Sequence, residues 1–280
     1  MKPDAHEIAH VSDTALMTAA CRALETADPL GLIRDPFAAL LAGERGMAIA
    51  RALPGLESMR FGIAVRSHFL DRLVVETVAA HGIATVLSVG AGLDSRPWRL
   101  ELPPALRWIE VDFPEMLDYK DAIMASVPPK CLRERLAADI ADEAGRQSVF
   151  APGGGPSLMI TEGLLMYLPA ATVEALATNT AVSHWLLDAT SLEMSRRVRM
   201  DKYESIQNVR AADCLDGLQI LDVLHRNGWI ALRRLGYTRP DDMRFAAQRI
   251  QALLRNIPPD QMPQPLSPDD PSGVHLFGRL

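Results

Sequence analysis

The sequence predicts an α/β fold in which the strands of a parallel sheet alternate with helices that cover both faces. First, short apolar segments alternate with longer segments in which apolar residues recur at helical spacing. Second, the apolar strand Thr85–Val89 is followed directly by the glycine turn Gly90–Gly92. Third, a chain of 280 residues that is 48% hydrophobic is large enough to bury a complete α/β core.

The elements before this strand are helical by their apolar spacing. The segment after Ser12 repeats small and apolar residues at helical intervals, and Ser12 is a suitable N-cap. A further helix is predicted from Val65 to His81, and Gly82 ends it because glycine readily adopts the left-handed conformation found after helices.

The elements after the glycine turn continue the alternation. The second strand extends from Leu106 to Phe113 and is ended by Pro114, which lacks the amide hydrogen that a strand needs. The other predicted elements are a helix at Glu115–Ser126, a third strand ending near Asp139, strands at Ser157–Thr161 and Ser183–Asp188, a helix at Ile220–Asn227, and strands at Trp229–Leu235 and Val274–Leu280.

The glycine turn and a later acid together predict a nucleoside site. Gly90 and Gly92 allow the backbone to approach a ligand closely. Asp112 ends the second strand 20 residues beyond Gly92, where a carboxylate can accept hydrogen bonds from both hydroxyls of a ribose. The alternative is that the glycines form an ordinary turn and that Asp112 only caps the next one.

The same region departs from the dinucleotide fingerprint. The position of its third glycine holds Ser95, and Asp94 lies where a pyrophosphate would approach the chain. These residues disfavour an NAD-dependent oxidoreductase, which stays an alternative. A cofactor with one adenosine, no phosphate and a cationic centre fits better, and S-adenosylmethionine has these properties.

Five segments in the same order resemble the leucine carboxyl methyltransferase family. They are Arg66–Asp71, Val86–Arg96, Ile109–Lys120, Ala138–Ile140 and Thr161–Leu168, and the resemblance covers about residues 12 to 240. It implies a Rossmann-like class I methyltransferase with a seven-stranded, mostly parallel sheet, an antiparallel last strand and a helical lid. Members of this family methylate the C-terminal leucine of a protein phosphatase or small polyketide acids.

The resemblance also implies which residues bind S-adenosylmethionine. Arg66 would bind the methionine carboxylate, and Glu162 would lie near the methionine amino group. The alternatives are that Arg66 pairs with Asp71 or Glu76 on a helix surface and that Glu162 is a charge at a helix N-terminus. The complete implied cofactor set is Arg66, Gly90, Ala91, Gly92, Asp112, Phe113, Asp139, Ile140 and Glu162.

The residues that would face the methyl acceptor are less defined. Tyr167 matches an aromatic residue of the family and could line the pocket or lie in the core. Arg196 and Arg199 lie in a charged segment that could attract an anionic acceptor or form a solvated helix face. No catalytic residue is predicted, because no motif selects among the possible bases. These are His68, His184 and His225.

The resemblance and composition favour a single catalytic domain that acts on a small molecule. Its expected parts are a helical lid at 1–64, a cofactor-binding core at 65–190, a substrate-lid insertion at 191–219, and C-terminal strands with a proline-rich loop at 220–280. A net charge of −6 disfavours nucleic acid as a partner. A cytoplasmic location without membrane attachment is expected, because no stretch of 18 apolar residues and no apolar signal region occurs.

The histidines and cysteines do not predict a metal site. His6 and His10 have helical spacing but no further ligand nearby, and the three cysteines are far apart. A binding protein that has the fold without turnover is the remaining alternative to an enzyme.

Overall fold

A seven-stranded sheet organises the part of the chain that the structure describes. The computed structural model describes residues 11–149, 155–179, 181–197, 211–255 and 266–279. The strands are β1 (Thr85–Val89), β2 (Arg107–Asp112), β3 (Leu132–Ala137), β4 (Ser157–Thr161), β5 (His184–Ala189), β6 (Ile230–Gly236) and β7 (Gly273–Gly278). Their order is β3-β2-β1-β4-β5-β7-β6, which confirms the predicted α/β sheet.

The strand pairing places the carboxyl ends of the central strands together, along what we call the carboxyl edge of the sheet. β1 pairs in parallel with both β2 and β4, and Val89 is opposite Val111. β2 pairs in parallel with β3, and β4 with β5. The segments that follow β1, β2 and β4 therefore leave the sheet side by side.

The last strand reverses direction. The amide of Arg279, just after β7, donates to the carbonyl of Ser183, just before β5, at 3.1 Å. The carboxyl end of β7 therefore lies beside the amino end of β5, so the two strands are antiparallel. This is the arrangement that the family resemblance implies.

The helices alternate with the strands over much of the chain. They are α1 (Val11–Ala27), α2 (Ala38–Ala52), α3 (Leu56–His81), α4 (Arg96–Arg99), α5 (Pro114–Met124), α6 (Glu143–Val149), α7 (Ala170–Ala177), α8 (Leu192–Arg197), α9 (Gly217–Arg226) and α10 (Ala247–Leu254). Among the described residues, no helix combines the length and the apolar character needed to cross a bilayer.

The chain forms two compact units. The first contains residues 1–69, 190–209 and 235–273, and the second contains residues 70–189, 210–234 and 274–280. The predicted boundaries of a single catalytic domain stay a prediction.

Each unit has its own buried interior. In the first unit, the fully buried Glu25 contacts Arg60 at 3.2 Å and Arg249 at 3.6 Å, which ties α1 to α3 and α10. In the second unit, Trp185 and Trp229 pack edge to face with ring centroids 5.4 Å apart in an apolar core. Aromatic pairs of this kind add to the stability that apolar burial provides.

Candidate cofactor site

The glycine turn after β1 has the conformation that its sequence predicts. Gly90 and Gly92 have φ values of +66° and +44°, in the left-handed region that favours glycine. The amides of Gly90 and Ala91 donate to the carbonyl of Val111 at 2.9 and 3.1 Å, so the end of β2 fixes the turn. A Cβ atom on Gly90 would lie 2.9 Å from a methyl carbon of Leu164. A side chain at position 90 would therefore be strained by the positive φ, and Leu164 would have to shift to make room for it.

Asp112 joins the turn directly. Its Oδ2 accepts a hydrogen bond from the Gly92 amide at 2.6 Å, and its Oδ1 accepts one from the Phe113 amide at 2.7 Å. Burial raises the pKa of Asp112, while the two amide bonds and the charge of Lys120 oppose that shift. The structure thus brings together the two motifs of the predicted nucleoside site. The two bonds to backbone amides also give Asp112 a structural role, and this role is compatible with ribose binding because each carboxylate oxygen can accept two hydrogen bonds.

A buried ion pair supports the turn from below. Lys120 of α5 lies 2.8 Å from Glu110 of β2, and both side chains are fully buried. Lys120 also lies 3.5 Å from the carbonyl oxygen of Ala91, and Arg133 binds the second oxygen of Glu110 at 2.6 Å. Sequence analysis did not assign this pair, although the lysine closes one of the family segments. The requirement that a buried charge has a partner could have indicated it.

Glu162 follows β4 and is held by a buried arginine. Its Oε2 lies 2.7 Å from Nη1 of Arg96, whose side chain is 2% exposed. Arg96 also contacts Asp71 at 2.7 Å and Asp94 at 3.1 Å. Burial disfavours the charged guanidinium, but Asp94, Glu162 and Asp71 outweigh this effect and raise the pKa of Arg96. Arg99 adds a second guanidinium, 2.5 Å from Asp71.

These five side chains form what we call the Arg96 cluster: Asp71, Asp94, Arg96, Arg99 and Glu162. The cluster connects α3, the glycine turn with α4, and the segment after β4. Sequence analysis named Glu162 from the family resemblance and missed the partners that hold it. Their separation along the chain explains this, because nothing local relates residues 71, 96 and 162.

The residues predicted to meet the adenine lie beyond β3. The carboxylate of Asp139 accepts a hydrogen bond from the Ala141 amide at 2.8 Å, and Ile140 is buried in the apolar core. The Ala138 amide donates to the carbonyl of Asp112 at 3.1 Å, which places this segment beside the end of β2. Phe113 is 39% exposed next to Asp112, so an aromatic face is accessible there.

Arg66 lies in the part of α3 that belongs to the first unit, whereas the other predicted cofactor residues belong to the second. The two acids considered as its helix partners bind other arginines. Asp71 belongs to the Arg96 cluster, and Glu76 binds Arg72 at 2.8 Å and Arg233 at 2.6 Å. The role of Arg66 stays a prediction.

The predicted acceptor residues are placed as follows. Tyr167 is half-buried at the end of a 3₁₀ helix, Leu165–Tyr167, that follows the Glu162 segment. Arg196 is exposed on α8 in the first unit. Arg199 lies outside the described residues.

Two of the three histidines named as possible bases lie away from the glycine turn. His184 is the first residue of β5, so it lies at the amino ends of the parallel strands, away from the turn. Its ring centroid is 4.3 Å from that of His81. His225 of α9 packs edge to face on Phe277. The third, His68, stacks on Phe245 in the first unit, with ring centroids 3.9 Å apart.

Sequence analysis missed a second acid at the same edge of the sheet. Asp188 near the end of β5 accepts a hydrogen bond from the Gly163 amide at 2.6 Å. Gly163 has a φ of +59° and directly follows Glu162. The signal was an acid after an apolar strand, as for Asp112, but no Gly-x-Gly motif accompanies it.

Known proteins resemble this chain in sequence. A family model described as leucine carboxyl methyltransferase matches residues 15–181. A Mycobacterium bovis protein, provisionally named an S-adenosyl-L-methionine-dependent methyltransferase, is 34% identical over 220 residues, which are 72% of each chain. A Mycolicibacterium paratuberculosis protein with the same provisional name is 36% identical over 185 residues, which are 60% of this chain and 61% of that protein. The chain therefore matches about three fifths of the length of this relative.

Two solved structures share the fold. A Thermobifida fusca protein, provisionally named a methyltransferase, has a TM-score of 0.55 at 17% identity, over 95% of this chain and 93% of that one. A Streptomyces avermitilis protein of the family called DUF574 has a TM-score of 0.59 at 13% identity, over 94% and 97%. The family model covers more than half of the 280 residues. The chain therefore belongs to the leucine carboxyl methyltransferase family, a family of enzymes that use S-adenosylmethionine.

Proposed function

We propose that the protein is an O-methyltransferase that methylates a carboxylate oxygen of a small organic acid. The observation that carries the cofactor part is the contact between Asp112 and the Gly92 amide, 2.6 Å long. It sets an acid of β2 beside the glycine turn of β1, which is where open α/β sheets bind the ribose of a nucleotide or nucleoside. Membership in the family supports the same cofactor.

The charges at this edge fit a cationic cofactor better than a pyrophosphate. In the Arg96 cluster three carboxylates face two guanidinium groups, so one negative charge is in excess. An amino group is attracted to such a site, whereas a pyrophosphate is repelled by Asp94 in the turn itself. The excess negative charge of the cluster therefore favours S-adenosylmethionine over a nicotinamide dinucleotide.

Each residue of the proposed cofactor set has a chemical role. Asp112 accepts hydrogen bonds from the ribose hydroxyls, and Phe113 offers an aromatic surface beside them. Arg66 grips the methionine carboxylate through two parallel hydrogen bonds, and Glu162 accepts from the methionine amino group. The remaining members, along the methionine, ribose and adenine, are Gly90, Ala91, Gly92, Asp139 and Ile140.

The proposed chemistry needs little from the protein beyond alignment. When bound, S-adenosylmethionine would supply an electrophilic methyl group: the acceptor oxygen would bond to the methyl carbon as the bond from that carbon to sulfur breaks, and S-adenosylhomocysteine would leave. A carboxylate acceptor is already ionised at neutral pH and needs no general base. The positions of His184 and His225 away from the turn support this choice. The protein then contributes orientation and the exclusion of water. In this proposal Tyr167 lines the acceptor pocket, and Arg196 and Arg199 attract the acceptor's charge.

The first test compares two cofactor classes on the purified protein. Titration calorimetry with S-adenosylhomocysteine should show micromolar binding, and the same ligand should raise the melting temperature because it binds only the folded state. NADH should do neither. Binding of NADH without binding of S-adenosylhomocysteine would refute the cofactor assignment.

The second test identifies the methylated atom. Small organic acids are screened with S-adenosylmethionine that carries a labelled methyl group, and the product is treated with alkali. A methyl ester releases its label, whereas a methyl ether retains it. The rate with a carboxylate acceptor should be nearly flat from about pH 6 to about pH 9, because an acid with a pKa of about 4 is already ionised there. An alkali-stable product would contradict the proposal.

A further inference from the structure

Arg96 contacts all three carboxylates of its cluster. Its Nε donates to Asp71 at 2.7 Å, and its Nη1 donates to Glu162 at 2.7 Å and to Asp94 at 3.1 Å. Its backbone amide also donates to Asp94 at 2.9 Å. The guanidinium is buried, so these contacts exchange little with solvent. Charge-assisted contacts of a planar, buried guanidinium are both strong and directional.

Glu162 needs an external group to fix its side chain. It comes after the end of β4, and the next residue, Gly163, has a left-handed φ of +59°. The 3₁₀ helix that follows begins only at Leu165. The Glu162 side chain has three rotatable bonds, so each contact to its carboxylate restricts the rotamers that it can adopt. The hydrogen bond from Arg96 selects among them.

Arg96 itself is fixed by groups that do not depend on Glu162. Asp71 belongs to the continuous helix α3 and also binds Arg99 through two contacts, at 2.5 and 2.7 Å. Asp94 is tied to the Arg96 backbone as well as to its side chain. The guanidinium therefore presents a preset donor to the segment after β4.

We propose that Arg96 is a positioning residue for the cofactor: it holds the Glu162 carboxylate in the orientation that accepts the methionine amino group. This inference rests on the proposed function, because it takes Glu162 as a cofactor ligand. It assigns Arg96 no contact with the cofactor. Its effect on cofactor affinity depends on the Glu162 carboxylate. An experiment can therefore distinguish this effect from a general contribution of Arg96 to stability.

A double-mutant cycle on S-adenosylhomocysteine binding tests the proposal. The proteins are the wild type, Arg96→Lys, Glu162→Gln and the double variant, each checked by circular dichroism and measured by calorimetry. Lysine keeps the positive charge but lacks the planar set of donors with which Arg96 reaches its carboxylates in fixed directions. We expect each single variant to weaken binding about tenfold, and Arg96→Lys to have less than about a twofold further effect when Glu162→Gln is present.

Arg249→Lys is the matched control. Arg249 is a buried arginine of the first unit that contacts three carboxylates, Glu57 at 3.1 Å and Glu25 and Asp28 at 3.6 Å. None of these carboxylates belongs to the Arg96 cluster, so its substitution should lower the melting temperature while leaving affinity within about twofold. If Arg96→Lys does not fold, Asp71→Asn takes its place in the cycle, because it removes the anchor of Arg96 in α3.

The outcomes separate the inference from the function on which it rests. Equal weakening by Arg96→Lys with and without Glu162→Gln would overturn the positioning role, as would unchanged binding by a folded Arg96→Lys protein. Unchanged binding by Glu162→Gln would show that Glu162 is not a cofactor ligand. It would overturn this inference and leave the cofactor assignment intact. Absence of binding by the wild-type protein would instead refute the proposed function.

Discussion

The same contact occurs twice at one edge of the sheet, with different sequence contexts. Asp112, the last residue of β2, accepts a hydrogen bond from the Gly92 amide, and Asp188 of β5 accepts one from the Gly163 amide, both at 2.6 Å. In each case a carboxylate at the end of one strand fixes a left-handed glycine that follows the adjacent parallel strand. Only the first pair carries the Gly-x-Gly motif. The contact therefore fixes a turn in both places. A cofactor site would need further features beside such a turn.

The two pairs differ in what surrounds them. Beside Asp112 are the exposed ring of Phe113 and the segment of Asp139. Beside Gly163 is Glu162, which the Arg96 cluster holds. We therefore expect the first pair to act on ligand affinity directly and the second to act mainly on stability.

Asp112→Ala should weaken the binding of S-adenosylhomocysteine by about 2 to 4 kcal/mol, because two charge-assisted hydrogen bonds to the ribose are lost. Calorimetry measures the affinity, and circular dichroism verifies the fold. Asp112→Asn is the control for shape: its side-chain oxygen can still accept from Gly92, so the turn is retained while the charge is lost. A folded Asp112→Ala protein with normal affinity would show that Asp112 is only a cap.

Asp188→Ala should reduce the free energy of unfolding by about 1 to 3 kcal/mol, since the Gly163 amide loses its partner in a half-buried position. Affinity for S-adenosylhomocysteine should fall by less than about tenfold, because Asp188 binds Gly163, the neighbour of Glu162, rather than a proposed cofactor ligand itself. Denaturant unfolding and calorimetry measure the two quantities. A larger loss of affinity than of stability would make Asp188 a ligand-binding residue and remove the distinction between the two pairs.

Gly82→Ala measures the cost of a positive φ alone, and Gly90→Ala measures that cost together with the packing of the glycine turn against Leu164. Both glycines have left-handed φ values, +66° and +58°, and a Cβ meets Leu164 at position 90 but nothing at position 82. Gly82→Ala should cost about 1 to 2 kcal/mol of stability from backbone strain alone. Gly90→Ala should cost up to about 1 kcal/mol more because the methyl groups of Leu164 must shift. Thermal unfolding compares them, and equal costs would show that the packing is loose.

Sequence analysis predicted the elements that have a strong local signature. β4 has the predicted bounds, and β1 and β2 differ from them by no more than one residue. The helix predicted from Val65 begins earlier, at Leu56, and the helix predicted from Ile220 begins at Gly217. In the latter case Asp216 and Gln219 form a capping box, a sequence signal that the apolar spacing alone did not reveal.

Other elements and contacts lacked such a signature. β3 is an edge strand with the sequence LRERLA, so its alternating charges do not resemble a buried strand. α2 was not predicted, and Gly43 interrupts it with a non-helical conformation. The Arg96 cluster joins residues far apart in the chain, so only the tertiary fold reveals it. Gly90, Gly92 and Asp112 were predicted from the glycine turn and the spacing of the acid, and the other proposed cofactor residues were predicted from the family resemblance.

The smallest expected effect comes from the opposite edge of the sheet. Burial lowers the pKa of His184, and the adjacent His81 adds to that shift. A lowered pKa in the folded state means that the folded protein favours the neutral ring. Its contribution to stability is therefore present above about pH 6.5, the pKa of an unfolded histidine, and is lost as the pH falls through the lower folded value. The melting temperature should decrease slightly over that range, and His184→Gln should flatten the decrease. Affinity for S-adenosylhomocysteine should be the same for both proteins at neutral pH, because the glycine turn lies at the other edge. A change in affinity would show that the two edges of the sheet are coupled.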